Sequence, residues 1–276
     1  MTRLLILFFA TCFSCWSLAA DKPQRIVSLS LCSDELVVLL ADPDRIASLS
    51  YLAADPRYSF FSTRLGDVYL NHGQAEEVIP LQPDLVLSSQ FSATNAVNLL
   101  QGFGYPVSTL GFPATLQEAY QQIHNVAELL GATERGEMLV RQMQSRISTV
   151  RESLTQRQNQ TAVFYANNGF SFGSNTLRHD FLTSLGLINL AAEQGLSGTG
   201  LLSLEALISG NPDFLLIDQS SSHDADLARP LLQHPVLNKY FTAKQIIVLP
   251  DALFQCAGPS MIEAYEIMLR SIEAYQ

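Results

Sequence analysis

Several residue sets in this sequence could carry chemistry. Gly169-Phe170-Ser171-Phe172-Gly173 matches the Gly-x-Ser-x-Gly pattern of a nucleophile elbow, which would make Ser171 an acyl-transfer nucleophile. An elbow needs a strand running straight into the serine and a helix starting directly after it. Here Asn167-Asn168 precede and Ser174-Asn175-Thr176 follow, which reads as a loop, and no acid or histidine partner stands out. A serine hydrolase is therefore a distant alternative. With no P-loop and no His-Glu-x-x-His motif either, the chain reads as a non-enzyme. His72 could ligate a metal, but it stands in a polar loop without a second His or carboxylate at ligand spacing. Hydrogen bonding is its expected role, and neither a protein-held metal nor a resident cofactor is expected. Cys32 and Cys256 each stand in a loop leading into a helix. In an oxidising compartment a disulfide is the default. Two thiolates at helix N-termini could instead grip a soft metal or a metallated ligand, or the pair could stay free.

Two glutamates recur in one pattern. Glu76 stands seven residues before Pro83-Asp84-Leu85-Val86-Leu87, and Glu205 stands seven before Pro212-Asp213-Phe214-Leu215-Leu216, 129 residues later. Each copy reads as a short amphipathic helix, a Pro-Asp turn and a buried strand, so the chain should contain two lobes with equivalent elements in equivalent places.

The elements that must position these residues follow from hydrophobic period. Arg25 to Ser30 is strand-like, after which Ser33 can cap a helix with Asp34 and Glu35 in its first turn. That helix should stop near Ala41, before the Asp42-Pro43-Asp44 turn, and Ile46 to Ser50 is the next strand. Leu85 to Leu87 and Val107 to Leu110 are further strands, with a helix from Thr94 to Phe103 between them. Such alternation predicts a parallel sheet covered by helices. From Leu116 to Gln158 no strand appears. Leu139, Met143, Ile147, Val150 and Leu154 share one helical face, and Gly131-Ala132-Thr133 divides the stretch so that a second helix runs from about Thr133 to Gln156. It could act as a strut between two α/β regions or pack wholly on one of them. Alternation resumes with Ala162 to Tyr165, a helix near Asp180 to Leu185, strands at Phe214 to Ile217 and Ile246 to Leu249, and a last helix from about Ser260.

Composition bounds the setting. Arg3, the apolar run Leu4 to Ala10 and the small residues at Ser17 to Ala20 have the layout of a secretory signal, with cleavage near Ala19 or Ala20. The residues before Cys12 and Cys15 fit a lipobox poorly, so a lipid anchor is not expected. About 256 residues remain, and 47% apolar composition supports developed cores. With 26 acidic against 16 basic residues, a formal charge of −10 and no basic cluster, the chain has nothing to track a phosphate backbone, so nucleic acid is not an expected partner.

The segments Arg25 to Leu36 (RIVSLSLCSDEL), Glu76 to Leu87 (EEVIPLQPDLVL), Leu204 to Ile217 (LEALISGNPDFLLI) and Pro250 to Pro259 (PDALFQCAGP) together resemble the iron-siderophore and cobalamin periplasmic-binding family, whose members feed ABC importers. The likeness extends over essentially the whole mature chain. It implies two doubly wound α/β lobes joined by one long helix, the class III periplasmic binding type. The corresponding partition is a signal peptide at 1–20, an N-terminal lobe at 21–115, a helical linker at 116–158 and a C-terminal lobe at 159–276. It also implies a monomeric periplasmic protein that holds a metal chelate, a ferric siderophore or a corrinoid, between its lobes and delivers it to an ABC permease dimer in the inner membrane. By motif match, Glu76 and Glu205 are the glutamates that would engage basic residues of the permease. A ligand sensor of the same fold without a transport role is the runner-up.

Ligands of open α/β sheets collect beyond the carboxyl ends of strands. The candidates are therefore Cys32, Ser33, Tyr51, His72 and Phe91 in the first lobe, and Asn168, Phe170, Phe172, Gln219, Phe254 and Cys256 in the second. Aromatics and amides suit a large, flat, partly apolar ligand. Tyr51 corresponds by position to a ligand-lining aromatic of cobalamin binders. Arginine is sparse in these loops, with Arg178 the nearest, which argues against a highly anionic siderophore. The resemblance places both cysteines at the cleft, where a disulfide would tie the lobes together.

Overall fold

A computed structural model describes residues 22–155, 159–219 and 235–274 of the protein; the expected leader, with Cys12 and Cys15, lies outside the described residues. In the first half, short apolar runs form five strands: β1 (Ile26–Ser28), β2 (Ile46–Ser50), β3 (Leu70–Asn71), β4 (Leu85–Ser89) and β5 (Val107–Leu110). They lie in the order β3-β2-β1-β4-β5, and every pairing is parallel. Parallel neighbours need crossovers, and helices α1 (Leu31–Leu40), α2 (Ala75–Val78) and α3 (Thr94–Gly102) supply three of them. β1 and β4 are buried along their whole length, which is why they read as unbroken apolar runs. The chain moves outward from β1 to β3 on one side and continues through β4 and β5 on the other. The winding thus reverses at β1, where an open α/β sheet leaves a crevice.

Two helices follow. Thr115 caps α4 (Leu116–Leu129) by accepting from the Glu118 N–H. Gly131, at a φ of +63° that a side chain would resist, turns the chain into α5 (Thr133–Ser153). The buried face of α5, with Met143, Ile147, Val150 and Leu154, belongs to one apolar cluster with Leu40 and Leu49 of the first α/β unit and Phe164 and Tyr265 of the second. Polar ties run both ways. Arg135 of α5 donates to the Leu40 carbonyl at the end of α1, and the Leu116 N–H at the start of the adjoining α4 donates to Asp180 in the second unit. α5 is therefore a strut, not a helix packed on one side only.

The second half contains β6 (Thr161–Phe164), β7 (Phe170–Phe172), α6 (Leu177–Ser184), β8 (Ile188–Asn189), α7 (Leu190–Glu193), β9 (Thr199–Leu201), α8 (Leu204–Gly210), β10 (Phe214–Gln219), α9 (Pro235–Tyr240), β11 (Ile246–Pro250) and α10 (Met261–Ala274). Strands β11-β10-β6-β8 form a second parallel sheet, and β7 pairs antiparallel with β9. The fold is thus α/β, two lobes bridged by a long helix.

The repeat has a physical basis. Gln82 (φ 47°) and Asn211 (φ 39°) both take the left-handed conformation that ends the short helix. Two residues later Asp84 accepts the N–H groups of Gln24 and Arg25 as they enter β1. Asp213 likewise accepts the N–H and hydroxyl of Thr161 entering β6. Each Pro-Asp turn pins the start of the neighbouring parallel strand.

Two local expectations change. α1 begins at Leu31 with Ser30 in the cap position; Ser33 lies inside the first turn and its hydroxyl turns back to the Ser30 carbonyl at 2.9 Å. The expected loop at Phe170–Phe172 is a strand, recruited by β9 more than 25 residues away, and such non-local pairing outweighs the loop-like composition around it.

Candidate functional site

A cleft of about 610 Å³ opens at the carboxyl ends of the first sheet. Every strand contributes to it: β1 through Leu29 to Cys32, β2 through Ser50 to Leu52, β3 through His72 and Gly73, β4 through Ser89 and Ser92, and β5 through Phe112. The turn Asp55, Arg57 and Tyr58 forms one wall, and among the described residues the second lobe supplies Gln255. The lining follows from topology, because parallel strands all end on the same edge.

The floor is a network of hydroxyls. Ser30 Oγ lies 2.7 Å from Ser89 Oγ and 2.6 Å from Ser33 Oγ, and Ser33 Oγ lies 2.7 Å from Ser28 Oγ. Beneath it the Ser50 N–H donates to Asp34 at 3.0 Å. Burial pushes the Asp34 carboxyl up to about 7, against the opposing bonds from Ser28 and Ser50. Such linked groups hold one another in place and present a fixed polar surface.

Above the floor, the rings of Tyr51 and His72 stack with centroids 5.2 Å apart. Glu77 fixes the histidine twice, accepting its backbone N–H at 2.7 Å and facing Nδ1 at 3.0 Å. The hydrogen bond from His72, reinforced by charge, holds Glu77 below the usual carboxylate range. Nε2 is left for other partners. Phe91, 83% exposed and held at φ 68°, stacks on Phe112 at 6.1 Å on the cleft rim. A bulky residue in that conformation is uncommon and strained.

The remaining sequence candidates divide. Cys32 lines the cleft and is joined to Cys256 in a disulfide with Cα atoms 5.3 Å apart, so neither is a thiolate or a free thiol. Ser33 is fully buried and lies below the surface a ligand could reach, a correction to its assignment. Phe254 is also corrected: it is core, packed edge-on against Phe164 and Phe181 at 5.4 and 5.2 Å. Phe172 is half-buried against Phe164 and Phe170. Asn168 and Phe170 are exposed on the β6–β7 turn and are not part of this cleft wall. Gln219 ends β10 opposite Pro250. Ser171 is fully buried, with its hydroxyl donating to the Phe164 carbonyl at 2.7 Å, so the elbow reading fails.

Arg178 is also reassigned. It donates to Asp218 at 2.8 Å and Asp251 at 3.0 Å, and its guanidinium lies 4.1 Å from the Phe172 ring centroid. Burial raises the Asp218 carboxyl and outweighs the attraction of Arg178. A cation so enclosed is a structural brace. The arginine at the cleft is Arg57, gripped by Asp55 at 2.9 and 3.0 Å. Sequence reasoning missed it because the turn lies several residues beyond β2. Its signal was Asp55-Pro56-Arg57, a turn sequence directly after a strand end. Among the described residues, no three His, Cys, Asp or Glu side chains converge to hold a bare metal ion, and no helix is long and apolar enough to cross a membrane.

The family model described as periplasmic binding protein matches residues 26–253. An uncharacterized ABC transporter substrate-binding lipoprotein of Bacillus subtilis (strain 168), YvrC, is 26% identical over 91% of this chain and 80% of its own length. Among solved structures, the periplasmic heme-binding protein RhuT from Roseiflexus sp. RS-1 superimposes with a TM-score of 0.73 at 25% identity, covering 92% of this chain and 99% of that one. The vitamin B12 binding protein BtuF of Vibrio cholerae does so with a TM-score of 0.66 at 16% identity, covering 92% and 98%.

Proposed function

The chain belongs to the periplasmic binding protein family, and we propose that it is the substrate-binding component of an ABC importer that captures a metal chelate in the cleft of the first sheet. The observation that carries this reading is the cleft itself: a hydroxyl floor, a Tyr51–His72 stack and an aromatic rim. Such a surface binds flat, partly apolar ligands and makes few charged contacts. A tetrapyrrole or corrinoid fits it better than a ferric siderophore. A siderophore fills the coordination sphere of its iron, whereas a heme leaves an axial position that His72 Nε2, with Nδ1 held by a carboxylate, is prepared to meet. The heme-binding name of one 25%-identical relative supports the same choice. The metal arrives with the cargo, so the protein needs no resident cofactor.

Glu76 and Glu205, both exposed on short helices of different lobes, are assigned to docking on the permease. Two acidic points on separate bodies fix orientation on a basic partner. Their exposure favours transport over a sensor of the same fold. The lobes are assigned to about 21–115 and 159–276 with the helical linker at 116–158. The mature protein is a periplasmic monomer released by cleavage near Ala19 or Ala20.

Trp16 falls in the leader, so ligand absorbance must report binding. Titration of the mature protein with haemin, cyanocobalamin and a ferric hydroxamate should give saturable one-to-one binding to one of the planar chelates. Tyr51→Ala and His72→Ala should each weaken it at least tenfold. Tight binding of the hydroxamate alone would reject the planar ligand, and no binding across the panel would reject the chelate reading.

A further inference from the structure

The two lobes are fastened to each other at the base of the cleft by more than packing. Cys32, in the first turn of α1, is bonded to Cys256, which stands between β11 and α10 of the other lobe, 224 residues away in sequence. One helical turn along α1, Glu35 reaches the same segment. Its Oε1 accepts the Ser260 N–H at 3.0 Å, directly before α10 begins. Glu35 is buried, and a Cβ added to Gly258 would stand 3.2 Å from its carboxylate, so the two segments press together there. The carboxylate of one lobe thus serves as the cap of a 14-residue helix in the other. Both sides of this junction also form the cleft. Leu31 and Cys32 line it from the first lobe and Gln255 from the second, with Cys32 Sγ 3.4 Å from the Gln255 carbonyl oxygen.

We infer that the cystine and Glu35 together are positioning residues, an interlobe clasp that presets the width of the cleft, so that ligand enters a gap already at its bound dimension. Either half alone leaves one pivot about which the lobes can still turn. Two attachments a helical turn apart remove that rotation. The inference concerns the ligand-free protein and stands whether or not the cleft takes a metal chelate.

The test is an interlobe distance measured without ligand. Nitroxides carried by p-acetylphenylalanine at Asn95 and Ser209, exposed on α3 and α8 of opposite lobes, leave the cystine untouched. Pulsed electron resonance on the oxidised protein should give one narrow distance. The Cys32→Ser/Cys256→Ser/Glu35→Ala variant should at least double the width, and Glu35→Gln in place of Glu35→Ala, which keeps an acceptor for Ser260, should recover part of the narrowing. Equal widths in the oxidised protein and the triple variant would overturn the clasp. If the triple variant does not fold, oxidised and dithiothreitol-reduced protein carrying Glu35→Gln provide the same comparison, and identical distributions there would also overturn it.

Discussion

Replacing Glu35 by Gln should make the protein more stable at pH 8 and nearly unchanged at pH 4. Burial lifts the Glu35 carboxyl from 4.5 to about 7, with the bonds from Ser260 opposing the rise. The native state therefore holds this proton more tightly than the unfolded chain does. Below pH 4.5 both states are protonated and the group costs nothing. As pH rises from 4.5 to about 7 the unfolded chain ionises first, so stability falls, and above that range the full penalty persists. Each pKa unit is about 1.4 kcal/mol, so the penalty at pH 8 is about 3 kcal/mol. Gln keeps an oxygen for the Ser260 N–H and an amide that can donate to the Ser260 hydroxyl, and it never ionises. Urea unfolding at pH 4, 6 and 8 measures the effect. The difference between variant and wild type should grow from about zero to about 3 kcal/mol, with the m-value unchanged. Asp34, also lifted to about 7, contributes its own slope to both proteins and drops out of the difference. Parallel pH profiles for the two proteins would refute the argument, because they would mean that Glu35 ionises equally easily in both states.

Three further outcomes are expected. Asp84→Ala and Asp213→Ala should each destabilise the fold by about 1–3 kcal/mol in urea titrations, since each strands N–H groups at the entry to a central strand. Arg178→Met should cost about 3–5 kcal/mol at neutral pH, because it leaves Asp218 and Asp251 facing each other without a cation. The same loss should be visible as a lowered thermal midpoint. Glu76→Lys and Glu205→Lys, at exposed positions, should leave ligand titrations unchanged while reducing ligand-stimulated ATPase of the reconstituted importer at least tenfold.

The sheets and helices were legible in the sequence wherever burial imposes a period. β2 and β5 fall on their expected residues, and α5 begins at Thr133 as the Gly131 break implies. The Pro-Asp repeat was visible for the same reason, since a carboxylate at one fixed offset does the same mechanical task in both lobes. β7 and β9 were not visible, because three-residue strands depend on a partner distant in sequence. The cleft was half legible. Strand ends announced Tyr51, His72 and Cys32, but Arg57 and Phe112 lie in turns whose direction is set by tertiary contacts. Ser33 and Phe254 failed for the converse reason: position after a strand end does not say whether a side chain faces the crevice or the core.

The distance in sequence between Cys32 and Cys256 also bears on how the chain matures. A bond that closes a loop of 224 residues cannot form until almost all of the polypeptide is present. Once made, the bond restricts the unfolded chain so strongly that the loop-entropy contribution is about 5 kcal/mol. A molecule that carries the bond therefore opens less often to proteases than one that lacks it.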